Sequence, residues 1–290
     1  SVMQSASSTV PQYPISTADF TKLAEQIQGR VLLPDSAGYN DGRFLFNSVY
    51  DYVRPLAIVQ ASNAADVART IEFASGNAIA LVPRSGGHSF AGYSTGQGIV
   101  LDVSPMNAVD VGREGKTARI GAGAKLLDVL TPLAARDRAV PSGFWPAVGI
   151  AGVTLGGGIG RLSRMYGLSL DWLRGVELVT ADAQLVRAAA STNPELFWAH
   201  RGGGGGNFGV VTTFTFLARP LAGVVTGTIR IQPGPVAEVL KAIRDVMRAF
   251  MSDQARAQAI VARHGATLLV YCGDVTEAAN YAHDAPSGLM

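Results

Sequence analysis

The chain has 290 residues, more than one ordinary domain requires, so one large domain and part of a second is the expectation. Hydrophobic residues make up 48% and charged residues 16%, with 34 glycines, so a real core can form and glycine is used for backbone geometry on an unusual scale. The formal net charge of +2 is spread along the chain rather than gathered in Lys/Arg blocks, the single Cys272 excludes an internal disulfide framework and a cysteine zinc site, and no apolar run reaches the ~18 residues of a spanning helix, so neither nucleic acid nor membrane is an expected partner.

The opening SVMQSASSTVPQYP lacks the basic start and apolar middle of a signal peptide. Its serines suit a flexible tail or a mature N-terminus, and secreted and cytoplasmic locations both stay open. The folded body starts near Ile15. Ser16 or Thr17 can cap a helix over ADFTKLAEQI, and residues 43–54 (RFLFNSVYDYVR) lead into the apolar run PLAIVQA at 55–61. That run reads as a buried strand, Ser62 as an N-cap, AADVARTIEFA as an amphipathic helix and AIALVP as a second strand. Strands follow over GIVLDV (98–103) and TARIGAG (117–123), then a helix over KLLDVLTPLAARD. GVELVTA (175–181) and AQLVRAA (183–189) flank Asp182 like a hairpin, Asn193 caps a helix over NPELFWAHR, and the β-branched VVTTFTFLA (210–218) is a strand. Arg219-Pro220 marks a domain edge, beyond which VVTGTIRI and ATLLVYCGD read as strands and VAEVLKAIRDVMRAFM as a helix.

Glycine gathers in PRSGGHSFAGYS (83–94), in GFWPAVGIAGVTLGGGIGRLSRMYG (143–167), in RGGGGGNFG (201–209) and, less persuasively, in IGAGA (120–124). Gly204, Gly206 and Gly209 satisfy G-x-G-x-x-G, but they follow a helix and enter a strand, the reverse of a dinucleotide-binding Rossmann turn. No G-x-x-x-x-G-K-[ST] occurs, which argues against NTP hydrolysis. Consecutive glycines let backbone N–H groups close around a bulky anion such as a pyrophosphate. The turn after the strand, Arg84-Ser85-Gly86-Gly87-His88-Ser89, has that character. A loop histidine is by itself most often structural; here Gly-Gly before it and Ser after it expose the ring.

The succession RSGGHS, VGIAGVTLGGGIGRLSRMYGLSLDWL and FWAHRGGGGGNFGVVTTFTF, from about Asp51 to Pro220, resembles the family of berberine bridge enzyme and the bacterial and fungal oligosaccharide oxidases. The resemblance implies FAD, joined through a ring nitrogen of His88 to its 8α-methyl carbon. It implies a cofactor pocket built from Arg84, Ser85, Gly86, Gly87, His88, Ser89 and Ser94 in the first motif. Pro146, Val148, Gly149, Gly152, Gly156, Gly157 and Gly160 belong to it from the second, and Asn207, Gly209 and Val210 from the third. Trp145 stands before Pro146 where many relatives carry a second tethering cysteine, so one bond is expected. Val148 occupies the place where a small side chain goes with oxidase behaviour, and Val153 replaces a histidine of the plant members.

The implied fold is α+β: an FAD-binding domain of the vanillyl-alcohol oxidase type with two subdomains (15–219), then the start of a substrate domain with an antiparallel sheet (220–290). Relatives are longer, and their returning C-terminal segment, which brings polar groups to the flavin, has no counterpart, so no catalytic acid or base is assigned. The implied activity is an FAD-dependent oxidoreductase, an oxidase passing hydride from an alcohol, sugar or secondary metabolite to flavin and then to oxygen. The alternative is a truncated or degenerate flavin-binding protein without turnover. His200, His264 and His283 lack metal-ligand spacing, and Trp145, Trp172 and Trp198 read as packing residues. Tyr93, Tyr166, Asp171 and Glu177 receive no catalytic role.

Overall fold

α1 (Thr17–Gln26) buries Phe20 and Leu23, and the Phe20 ring lies 5.1 Å from that of Phe73. The computed structural model describes residues 17–221, 223–228, 235–238, 240–241 and 266–271. After α1 come β1 (Arg30–Leu32), α2 (Tyr39–Arg43), β2 (Ala57–Gln60), α3 (Ala64–Gly76), β3 (Leu81–Arg84) and β4 (Ile99–Asp102). They form a sheet in the order β1-β2-β4-β3, parallel from β2 through β4 to β3, with β1 antiparallel at one edge. Ala57, Ile58 and Val59 are buried, as is every residue of β4, the continuous apolar run of strands covered on both faces. The cap of α3 is Asn63 rather than Ser62: the Asn63 side chain accepts the Asp66 N–H at 3.0 Å. Ser62 instead gives its N–H to the Asp66 carboxylate, which also takes those of Gln28 and Gly29, all at 2.9 Å. One buried side chain thus joins the approach to β1 with the turn between β2 and α3.

The next elements are β5 (Val109–Val111), β6 (Thr117–Gly121), α4 (Leu126–Ala134), β7 (Arg138–Ala139), α5 (Ile150–Leu155) and α6 (Ser163–Tyr166). β8 (Leu173–Val179), β9 (Leu185–Ala189), α7 (Pro194–Ala199) and β10 (Val210–Leu217) follow. The second sheet is antiparallel throughout, in the order β5-β6-β10-β8-β9. The expected hairpin at Asp182 joins β8 to β9, turning at Ala183 with φ +60°. Asn193 differs from expectation. It sits at φ +48° and its amide donates to Arg187 O at 2.8 Å, so α7 starts with Pro194 and without a side-chain cap. Val59 and Leu101 of the first sheet and Ile120 and Phe214 of the second belong to one apolar core.

The chain divides into two units, Ser1–Arg219 and Pro220–Met290, with β11 (Arg219–Pro220) where it passes from one to the other. In the second unit, β12 (Gly223–Thr228) and β13 (Ala266–Tyr271) lie over the two runs expected as strands, and residues 236–238 and 240–241 of the expected helix are helical. β12 and β13 run parallel, from Gly223 beside Ala266 to Thr228 beside Tyr271, whereas an antiparallel sheet was expected there. The sequence between them, residues 229–265, is long enough for the connection that a parallel pair requires. Cys272, His264, His283 and the cap at Ser16 lie outside the described residues.

Candidate cofactor site

The chain leaves β3 as Ser85-Gly86-Gly87-His88 and there crosses the loop that leads into α5. A Cβ on Gly86 would stand 2.2 Å from Gly149 N, and one on Gly149 would stand 2.4 Å from Gly86 N. Only two bare backbones can pass so closely. Gly87, at φ +67°, turns the chain into His88, and Ser85 Oγ donates to Ala122 O at 2.6 Å. The loop also closes the start of α4, since Leu126 and Leu127 give their N–H groups to Val148 O and Pro146 O at 2.9 and 3.1 Å. The IGAGA segment therefore seats these loops: Ala122 and Ala124 are buried, and Ala124 O takes the N–H of Ile150 at 2.9 Å.

α5 falls within the second motif. Gly152 and Gly156 lie exposed, and a Cβ on Gly152 would meet nothing within 4 Å, so this face is open backbone. Gly157 and Gly158 then turn the chain at φ +118° and +84°, and Gly160 is pressed against Ser142 O, 1.7 Å from an added Cβ. The third motif joins the other two. Gly204 gives its N–H to Leu155 O at 2.9 Å, and an added Cβ on Gly206 would be 2.9 Å from Pro83 Cγ. Asn207 folds its amide onto Gly203 O at 2.7 Å, Gly209 has φ +134°, and Val210 is buried as the first residue of β10. Three motifs far apart in sequence thus meet in one place.

His88 is half-buried, and its ring stacks on Phe46 with centroids 4.4 Å apart and planes 19° apart. Phe46 gives its N–H to Gly87 O at 3.2 Å and is edge-on to Phe90 and Trp145 at 6.2 and 6.4 Å. Burial first, and the charge of Lys125 second, hold His88 below its ordinary 6.5, so at neutral pH the imidazole is uncharged with one nitrogen lone pair free. Among the described residues none hydrogen-bonds either ring nitrogen. Phe90 and Ile159 in these loops are 79% and 77% exposed, so apolar side chains stand open on the same segments.

Arg84 does not face this surface. Its guanidinium is buried, donating to Gly42 O at 2.5 Å and lying 3.4 Å from Asp102, a direction set by a partner on β4 that no local pattern reveals. Ser89 Oγ accepts the Tyr93 N–H at 3.2 Å, and Ser94 and Val148 are half-buried. His200 is buried with Nδ1 2.8 Å from Leu196 O, a structural role as expected. Trp172 donates to Tyr166 O at 2.5 Å beneath the Arg219 guanidinium, but Trp198, expected to pack, is 74% exposed. Among the described residues no cluster of three His, Cys, Asp or Glu could hold a metal, and no helix is long and apolar enough to cross a membrane. Phe46 is the site residue that the sequence does not announce, because its relation to His88 exists only through space.

Residues 55–189 match the family described as the FAD binding domain. (R)-6-Hydroxynicotine oxidase of Paenarthrobacter nicotinovorans is 39% identical over 212 residues, 69% of this chain and 44% of that protein. An uncharacterized FAD-linked oxidoreductase of Bacillus subtilis (strain 168) is 39% identical over 205 residues, 69% and 45% of the two chains. Among solved structures, glucooligosaccharide oxidase of Acremonium strictum, which carries a 6-S-cysteinyl, 8α-N1-histidyl FAD, superposes with a TM-score of 0.65 at 36% identity, covering 69% of this chain and 42% of that one. The berberine bridge enzyme-like protein 1 of Physcomitrella patens gives 0.67 at 34% identity over 71% and 45%. The fold is that of an FAD-binding domain of the vanillyl-alcohol oxidase type. The chain is a homologue of the FAD-linked oxidoreductases and berberine bridge enzyme-like proteins, and spans a little under half the length of the relatives it matches.

Proposed function

We propose that this domain holds FAD covalently, through a bond between a ring nitrogen of His88 and the 8α-methyl carbon. The protein is an oxidase that passes hydride from a small-molecule alcohol, sugar or secondary metabolite to the flavin and then to oxygen. The observation that carries the reading is the position of His88, whose ring nitrogens meet no hydrogen-bond partner among the described residues, in a glycine turn where the three motifs converge. The residues fit the group. The open backbone at Gly152 and Gly156 leaves room for a large flat ligand, and in the three turns the N–H groups of Gly87, Gly158 and Gly206 meet no acceptor among the described residues and stay available to an anion.

Bound FAD supplies a two-electron acceptor, and a histidyl bond keeps it from leaving and makes it a stronger oxidant. This chain's part is to hold and orient it. Gly149 lies against the turn that carries His88, Ser85 fixes that turn through Ala122 O, Pro146 O and Val148 O hold the start of α4, and Gly204 and Gly206 bring the third motif, with Asn207, Gly209 and Val210, alongside. Trp145 has no sulfur, so the second, cysteinyl bond of the glucooligosaccharide oxidase is not formed at that position. The small Val148 favours access of oxygen. Relatives named as oxidases of a hydroxynicotine and of oligosaccharides support a small organic substrate.

The test is the mass and visible spectrum of the acid-precipitated protein. The wild type is expected to be yellow and heavier by one FAD, and His88→Ala to fold with an unshifted mass. Yellow flavin released into the supernatant by the wild type would overturn the tether.

A further inference from the structure

We infer that Phe46 is a positioning residue for His88: its ring, stacked on the imidazole, fixes the plane in which the His88 nitrogens meet the 8α-carbon of the flavin. The inference rests on the proposed His88 tether and adds a residue that none of the three motifs contains.

An imidazole lone pair lies in the plane of its ring, so whatever holds the plane aims the nucleophile. In most buried histidines a hydrogen bond does this, as Leu196 O does for His200 Nδ1 at 2.8 Å. His88 has no such bond among the described residues, and the face of Phe46 at 4.4 Å and 19° is the contact that restrains its ring. A hydrocarbon face suits the task because it occupies neither nitrogen. Phe46 is itself held three ways: by its N–H on Gly87 O, and by the edges of Phe90 and Trp145. It is also 54% exposed, so its loss opens no cavity in the core.

Closing the tether exchanges one C–H bond of the 8α-methyl group and the imidazole N–H proton for one N–C bond. Two protons leave, and two electrons pass into the isoalloxazine and on to dioxygen. A stacked pair is worth enough that its loss is expected to slow this step about five-fold.

The experiment mixes flavin-free full chain with excess FAD, quenches samples in acid and follows the gain of one FAD in mass. Phe46→Leu is expected to attach FAD about five-fold more slowly than wild type at saturating FAD, and Phe46→Tyr to restore the rate. Attachment by Phe46→Leu at the wild-type rate, or by Phe46→Tyr as slowly as by Phe46→Leu, would overturn the inference and leave the tether standing. Gain of mass by His88→Ala, or none by the wild type, would overturn the tether and the inference with it.

Discussion

At Gly86 and Gly149 the absence of side chains is the structural device, since an added Cβ at either would stand within 2.4 Å of the other's backbone nitrogen. Gly86→Ala is therefore expected to force the two loops apart, cost about 2 kcal/mol in urea unfolding and abolish flavin uptake. Gly152→Ala separates the two effects. Its Cβ meets no atom of the described residues within 4 Å, so the variant should gain up to about 1 kcal/mol by relieving a helical glycine, while its flavin uptake falls because the methyl group intrudes on the open backbone face. The glycine clusters and His88 were legible in the sequence because they are local runs with a fixed order. Phe46 and Arg84 were not. RFLFNSVY reads as ordinary packing, and whether Arg84 turns inward depends on Asp102 across the sheet.

Among elements, the first sheet depends on Asp66, whose carboxylate collects backbone N–H groups from both sides of β1 and β2. Asp66→Ala leaves those three donors without their acceptor and is expected to lower stability by about 3 kcal/mol, read as a shift of the urea midpoint with little change in slope. Asp66→Asn, which keeps one acceptor oxygen, should lose less. Strands such as β2, β4 and β10 were legible from apolar and β-branched runs, whereas α5 was hidden because Gly152 interrupts the helical pattern of IAGVTL. β1 and β5 span three residues each, too short for a two-residue period to stand out. The cap of α3 moved by one residue to Asn63 because Asp66 claims the Ser62 N–H.

For the whole molecule, cofactor and stability are linked by mass action. In His88→Ala, FAD can only bind reversibly, so stability should rise with free FAD, by about 2.7 kcal/mol at a hundredfold excess over Kd. On the proposed His88 bond, the wild type should melt at one temperature whatever FAD is added, and thermal melts at graded FAD check this. An equal FAD-dependent shift in both proteins would argue against the covalent bond.

The strand order of the second sheet also sets when a site can exist during synthesis. β10 is the last of the five strands to be made, yet it lies in the middle, between β6 and β8. A nascent chain that has emerged from the ribosome only as far as β9 has two strands facing an empty lane and lacks the third glycine cluster, which immediately precedes β10. The gap closes only when residues 201–217 arrive, bringing the third glycine cluster and the strand that completes the sheet together. On the proposed cofactor site, flavin capture waits for residues 201–217 to be made.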